Sequence, residues 1–157
     1  MPNLDVAYIP TPKTIVRQML LLAHIRRGEV LYDLGAGDGR IIIQAARKFG
    51  ARSTGIEIDP ERVSHIKEKL ESTRVQAEVI QADFMEINLS LADVITMYLS
   101  ESVNAKLASK LEHELKPGAR VVSLDYFLPG WTPEKEVTVN SGGVTRKIFL
   151  YRAPTAK

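Results

Sequence analysis

Apolar residues along this chain recur at two periods, and segments of the two kinds alternate. Ile15, Val16, Met19, Leu20, Leu22 and Ala23 fall at helical spacing and predict a helix reaching about Arg26, with Thr11 as N-cap, Pro12 at the first helical position and Gly28 as the stop. Upstream, Pro2, Pro10 and Pro12 fix φ and remove N–H donors, so residues 1–12 read as an extended arm. A strand over Glu29 to Leu34 then runs into Gly35-Ala36-Gly37-Asp38-Gly39, and a helix follows from about Arg40 to Phe49, ended by Gly50. Arg52 to Ile58 predicts the next strand. Asp59-Pro60 is a cap plus first-turn proline for a helix carrying Val63, Ile66 and Leu70.

The alternation continues. Strands are predicted over about Gln76 to Gln81, Asp93 to Leu99 and Arg120 to Asp125, with a helix over Glu101 to Leu115 that carries Val103, Leu107, Leu111 and Leu115 on one stripe. Glu136 to Val139 and Val144 to Tyr151 alternate across Asn140-Ser141-Gly142-Gly143, a hairpin signal. Strands alternating with helices imply an α/β fold: a doubly wound, mostly parallel seven-stranded sheet whose terminal hairpin adds an antiparallel element. No linker or repeat divides the chain, so one domain over residues 1–157 is expected, with the arm at 1–12 and the core at 13–157.

Composition narrows the function. With 157 residues there is no room for a cofactor domain plus a substrate domain, so any chemistry is expected on one fold. The absence of Cys excludes disulfides, thiolate zinc sites and a cysteine nucleophile. His24, His65 and His113 lie in predicted helices without ligand spacing, so no metal is expected. A net charge of +2 from 21 basic and 19 acidic residues gives no strong nucleic-acid signal. No apolar run has the length of a membrane span and Met1 to Asp5 lacks signal-peptide character, which predicts a cytoplasmic protein without membrane association. Four Asn, four Gln and no Cys is a composition common in heat-adapted proteins.

In doubly wound sheets ligands bind beyond the carboxyl ends of the strands, which singles out Asp33-Leu34-Gly35-Ala36-Gly37-Asp38-Gly39-Arg40. Gly35, Gly37 and Gly39 let the backbone approach a ligand, and the following helix offers free N–H groups. Asp33 and Asp38 would repel a diphosphate and suit a cationic or zwitterionic ligand; G-x-G-x-x-G would also need glycine where Arg40 stands. S-adenosylmethionine fits, having a sulfonium, an ammonium and an adenosine but no phosphate. Glu57, eighteen positions after Gly39, stands where such folds place a carboxylate for two ribose hydroxyls. Ile58 beside it is a candidate adenine wall, and Asp83-Phe84 offers an acceptor for the adenine amine and a flat neighbour for its ring.

Tyr32 to Arg40 (with Ala36 inside the loop), Glu57 and Asp83-Phe84 resemble motifs I, II and III of the class I, seven-β-strand S-adenosylmethionine-dependent methyltransferases. Leu115-Lys116-Pro117-Gly118-Ala119-Arg120 is similar to that family's strand-five turn, with Ala119 where Gly is usual. More narrowly, Tyr8-Ile9-Pro10-Thr11-Pro12, Met97-Tyr98-Leu99-Ser100 and Gly130-Trp131 resemble the small archaeal protein lysine methyltransferases of broad specificity. The resemblance implies S-adenosylmethionine as cofactor, S-adenosylhomocysteine as product, and exposed lysines of proteins as acceptors, among them the chain itself and chromatin-like DNA-binding proteins. It also implies an arm closing over the cofactor with Thr11 near its carboxylate; a monomer is expected, with Tyr98 and Tyr8 as the candidate catalytic residues.

The residues are consistent with that chemistry. Methyl transfer to nitrogen is largely positioning and desolvation. Deprotonating a lysine of pKa near 10.4 at pH 7 costs about 4 to 5 kcal/mol, and an apolar aromatic channel lowers that cost. Tyr98 at the end of the fourth strand is the first candidate for its wall, with Tyr8, Tyr126, Phe127 and Trp131 as further ones. Exocyclic-amine methyltransferases generally carry D/N/S-P-P-Y/F where this chain has Met97-Tyr98-Leu99-Ser100, and cytosine-C5 enzymes need a Cys. An RNA-directed or other small methyltransferase and a non-catalytic cofactor-binding protein remain as alternatives.

Overall fold

The computed structural model describes residues 11–154. Seven strands form one sheet: β1 (Val30–Leu34), β2 (Arg52–Glu57), β3 (Glu78–Gln81), β4 (Val94–Met97), β5 (Arg120–Leu124), β6 (Lys135–Ser141) and β7 (Val144–Arg152). Their order is β3-β2-β1-β4-β5-β7-β6, parallel from β3 through β5 and antiparallel at β7 and β6. The expected mostly parallel sheet with an antiparallel end is thus what forms. Strand order reverses between β1 and β4, so the crevice of the fold opens beyond Leu34 and Met97.

Helices α1 (Lys13–Leu22), α2 (Arg40–Phe49), α3 (Pro60–Thr73) and α4 (Glu101–Glu114) cover the two faces. Alternation along the strands sorts the core into two layers. Leu31, Val94, Val122 and Ile148 pack with Ile15, Met19, Ile42 and Ile66 from α1, α2 and α3. Ile95, Val121, Phe149 and Tyr151 pack with Val103, Leu107 and Leu111 of α4. Asp59 caps α3, accepting from the Glu61 N–H at 2.9 Å, and Ser100 caps α4 through the Val103 N–H at 3.2 Å.

Three sequence expectations change. Pro12, not Thr11, is the N-cap of α1, which has no side-chain cap; the Pro12 carbonyl takes the Ile15 and Val16 N–H groups instead. The helix ends at Leu22 because His24 turns left-handed at φ 52°, before Arg26 and Gly28 are reached. The final hairpin turns on Gly142 and Gly143 alone, since Ser141 already pairs with Val144 and both glycines have positive φ, as a two-residue primed turn requires. A 3-10 turn over Phe84–Glu86 follows β3 and had no counterpart in the expected elements.

Candidate active site

Parallel pairing of β1 to β5 brings their carboxyl ends to one edge, where the glycine loop, Glu57, Asp83, Tyr98 and residues 125–128 all fall. The loop is pinned beneath by N–H bonds from Gly35 and Ala36 to the Ile56 carbonyl, at 2.8 and 3.1 Å. Gly39, at φ 84°, is the N-cap of α2. A Cβ there would lie 3.2 Å from Ile66, so the loop rests directly on α3.

The carboxylates at this edge have different environments. Glu57 is buried, and its two oxygens accept from the Gly37 N–H at 2.8 Å and the Asp59 N–H at 3.0 Å. Each oxygen keeps a second lone pair, so the group is held rigid yet can still accept from a ligand's hydroxyls. Asp33 is 2% exposed and accepts from the Thr96 hydroxyl at 2.9 Å. Burial pushes its carboxyl up to about 7; the nearby Glu57 and Asp38 charges push the same way, and the Thr96 hydroxyl opposes them.

Asp38 departs from expectation. Its carboxylate is gripped by Arg40, whose Nε lies 3.0 Å from both oxygens, while another guanidinium nitrogen of Arg40 donates to the Thr11 carbonyl at 2.7 Å. Burial raises the Asp38 carboxyl, but the Arg40 hydrogen bonds and charge outweigh it and hold the group below the ordinary carboxylate range. A carboxylate already matched by a guanidinium has little left for a cation, so the loop's attraction for a positive ligand falls to Asp33. Arg40 instead joins the start of α1 to the glycine loop, a role the sequence pattern did not suggest. Thr11 is buried at that junction.

Ile58 follows β2 and is half-buried. Asp83 accepts from the Met85 N–H at 2.9 Å as the cap of the 3-10 turn, and Phe84 packs against the α4-side core layer. The aromatic candidates separate. Tyr98 and Tyr126 stack with centroids 6.2 Å apart and planes 18° from parallel, and Tyr126 and Phe127 are exposed by 37% and 47%. Their loop is fastened from α4 by the Asn104 amide, which donates to the Tyr126 and Phe127 carbonyls at 3.1 Å each. Trp131 packs away from them: its indole N–H donates to the Ala108 carbonyl at 3.2 Å and its ring meets Tyr151 edge-on. Tyr8 lies outside the described residues.

Arg146 is the residue that sequence reasoning missed. It lies far along the chain, on β7, and antiparallel register delivers it to this edge. Its guanidinium pairs with Asp125 at 2.8 Å and its Cζ sits 5.3 Å from the Tyr98 ring centroid. Burial raises the Tyr98 phenol pKa more than the Arg146 charge lowers it, so the phenol stays neutral near pH 7. Nothing local in the sequence signals this contact.

A glycine loop after β1, a buried carboxylate at the end of β2 and an antiparallel β7 beside β5 define the methyltransferase form of the doubly wound fold. Residues 33–135 match the ANTKMT methyltransferase domain model, and the chain belongs to that methyltransferase family. It is 42% identical over 149 residues to the protein-lysine N-methyltransferase of Saccharolobus islandicus, covering 93% of this chain and 92% of that one. It is 35% identical over 152 residues to the mouse adenine nucleotide translocase lysine N-methyltransferase, covering 95% of this chain and 64% of the longer relative. A crystal structure described as an RNA methyltransferase from Salinibacter ruber in complex with S-adenosyl-L-homocysteine superposes with a TM-score of 0.87 at 42% identity, covering 95% and 96% of the two chains.

Proposed function

We propose that this chain is an S-adenosylmethionine-dependent protein lysine N-methyltransferase of relaxed specificity, acting in the cytoplasm on exposed lysines of other proteins and of its own copies. The carrying observation is Asp33, a buried carboxyl with a hydroxyl for partner and, among the described residues, no cation in contact, at the same end of the sheet as the stacked Tyr98 and Tyr126. A cationic, phosphate-free ligand answers that charge. Asp33 and the glycine loop would hold its amino-acid part, Glu57 its ribose, and Ile58, Asp83 and Phe84 its adenine. When bound, the cofactor supplies an electrophilic methyl on sulfur. Among the described residues, no helix is long and apolar enough to cross a membrane.

The acceptor side follows from the aromatic wall. Tyr98 is neutral and ring-stacked, so it contributes shape and low polarity. The Arg146 guanidinium behind it is matched by Asp125, so it braces the ring, and desolvation at the aromatic wall is what favours the neutral, nucleophilic form of an incoming amine. Positioning against that wall promotes in-line attack without a dedicated base. The lysine N-methyltransferase relatives support this acceptor class.

Incubation with methyl-labelled S-adenosylmethionine, a lysine-containing protein and an RNA in one tube is expected to label lysine. The Salinibacter likeness favours RNA as the second reading, and label confined to RNA would establish that reading instead. Intact-mass measurement of the recovered protein is expected to show added methyl groups on its own lysines. Tyr98→Phe is expected to lose part of the turnover with cofactor affinity little changed. Tyr98→Ala, which also removes the seat of Arg146, is expected to lose roughly tenfold, about 1.4 kcal/mol in the barrier. Wild-type turnover in Tyr98→Ala would remove this wall from the site.

A further inference from the structure

At the opposite edge of the sheet, where β1, β2 and β3 begin, the surface forms a groove of about 840 Å³. We propose that this groove binds the phosphodiester backbone of a single-stranded nucleic acid, independently of the glycine-loop site. Four arginines line it, each from a different segment: Arg27 before β1, Arg47 in the last turn of α2, Arg52 at the start of β2 and Arg74 at the C-cap of α3. Among the described residues Glu78 is the one carboxylate in the lining. The groove therefore carries a larger excess of positive charge than the whole chain's +2.

What marks these cations is how the rest of the same edge is treated. One strand-pair further along, Arg120 is paired with Glu29 and Lys116 with Asp93, each at 2.6 Å. The four groove arginines are exposed and have no side-chain hydrogen bond or ion pair among the described residues. Arg47 and Arg74 have a local reason to be basic, because they complement the C-terminal ends of α2 and α3. Arg27 and Arg52 do not. Arg74 adopts φ 56°, where glycine or asparagine is ordinarily favoured, so its side chain is kept at a backbone cost on the order of 1 kcal/mol. The stem of Arg27 packs on Gly50, its Cγ 3.1 Å from where a Cβ would stand, which orders the arm that carries the guanidinium.

The chemistry favours a chain of phosphates over a single anion. The carboxyl-terminal ends of α2 and α3 face this edge, so backbone carbonyls disfavour an anion lodged against the main chain. Attraction must come from side chains spread along the groove. Guanidinium forks match phosphate oxygens in bidentate geometry, and such contacts position a nucleic acid irrespective of its sequence. Leu91, 70% exposed in the lining, offers an apolar surface for a sugar or base. Because the glycine loop is at the other edge, occupation of one site leaves the other open.

The test is fluorescence anisotropy with a short labelled single-stranded oligonucleotide and the full chain, over a range of salt. Wild type is expected to bind, with affinity falling as salt rises. The double variant Arg47→Gln/Arg52→Gln should bind about tenfold more weakly at low salt, and its slope of log affinity against log salt should be shallower by about 1.4, near 0.7 per phosphate contact. Arg17→Gln, exposed on α1, should match wild type, and S-adenosylhomocysteine should not displace the oligonucleotide. Arg74→Gly provides a second route, since it relieves the left-handed position and should hold or raise the melting temperature while weakening binding. An undiminished affinity in both Arg47→Gln/Arg52→Gln and Arg74→Gly, or failure of wild type to bind, overturns the proposal. Tighter binding of polyglutamate than of the oligonucleotide would assign the groove to an acidic protein and overturn it equally.

Discussion

Asp33→Asn is expected to weaken S-adenosylmethionine binding by about two orders of magnitude while leaving the ligand-free melting temperature at pH 8 unchanged or higher. Asparagine keeps an oxygen for the Thr96 hydroxyl, so the hydrogen bond at 2.9 Å survives and the charge alone is lost. Removing one member of a buried charge interaction costs about 3 kcal/mol of binding, which is the hundredfold effect. Without ligand the balance is reversed. Burial raises the Asp33 carboxyl from its ordinary value of 3.8 to about 7, so between these values the folded protein holds a proton that the unfolded chain has released, and at pH 8 the folded carboxylate is buried and ionised. The stability contributed by that proton is fully present below about pH 4 and is lost as pH rises through 7, on the order of 4 kcal/mol in all.

The same sign governs binding. A cationic ligand favours ionised Asp33, so wild-type affinity should tighten as pH rises through about 7, and the Asp33→Asn profile should be flat there. Calorimetry at several pH values reads both effects at once. An affinity within threefold of wild type would show that the loop's charge is not what recognises the cofactor.

Gly55→Val is expected to destabilise the protein by about 3 kcal/mol, lowering the melting temperature by roughly 10 °C, and to weaken cofactor binding along with it. Gly55 pairs with Asp33 across β2 and β1. A Cβ at Gly55 would lie 2.6 Å from the Ala36 Cβ and 3.3 Å from the Ile42 Cδ1, so the side chain cannot enter without moving the glycine loop or α2. The displaced loop carries the Gly37 N–H that holds Glu57. Thermal melting with and without ligand separates the two consequences. Wild-type stability would show that α2 can shift at little cost.

Gly55 also shows how far the sequence could be read. An isolated glycine in a strand suggests a close approach, but its neighbour across the packing, Ala36, belongs to another element, and the distance exists only once β2 sits under α2. Asp33 and Asp38 looked alike as carboxylates flanking a glycine loop. Folding separated them, because Arg40 reaches Asp38 while Asp33 is carried into the sheet beside Thr96. The aromatic residues after β5 were similarly equivalent on paper. Packing sent Trp131 to α4 and left Tyr126 on Tyr98.

What the sequence determined by itself is periodic and local. Hydrophobic spacing set helices against strands, Asp59-Pro60 marked a helix start, and the Asp33 to Arg40 run located the loop at the end of β1. Each depends on residues within a few positions of one another, so a linear pattern can carry it. The tertiary structure alone decided which charges are matched, which aromatics meet, and that Arg146 stands behind Tyr98. It also drew Arg27, Arg47, Arg52 and Arg74 into one groove in a chain whose charge, counted along the sequence, is nearly balanced. Electrostatic attraction falls off with distance through space, and the fold sets that distance between residues from separate segments.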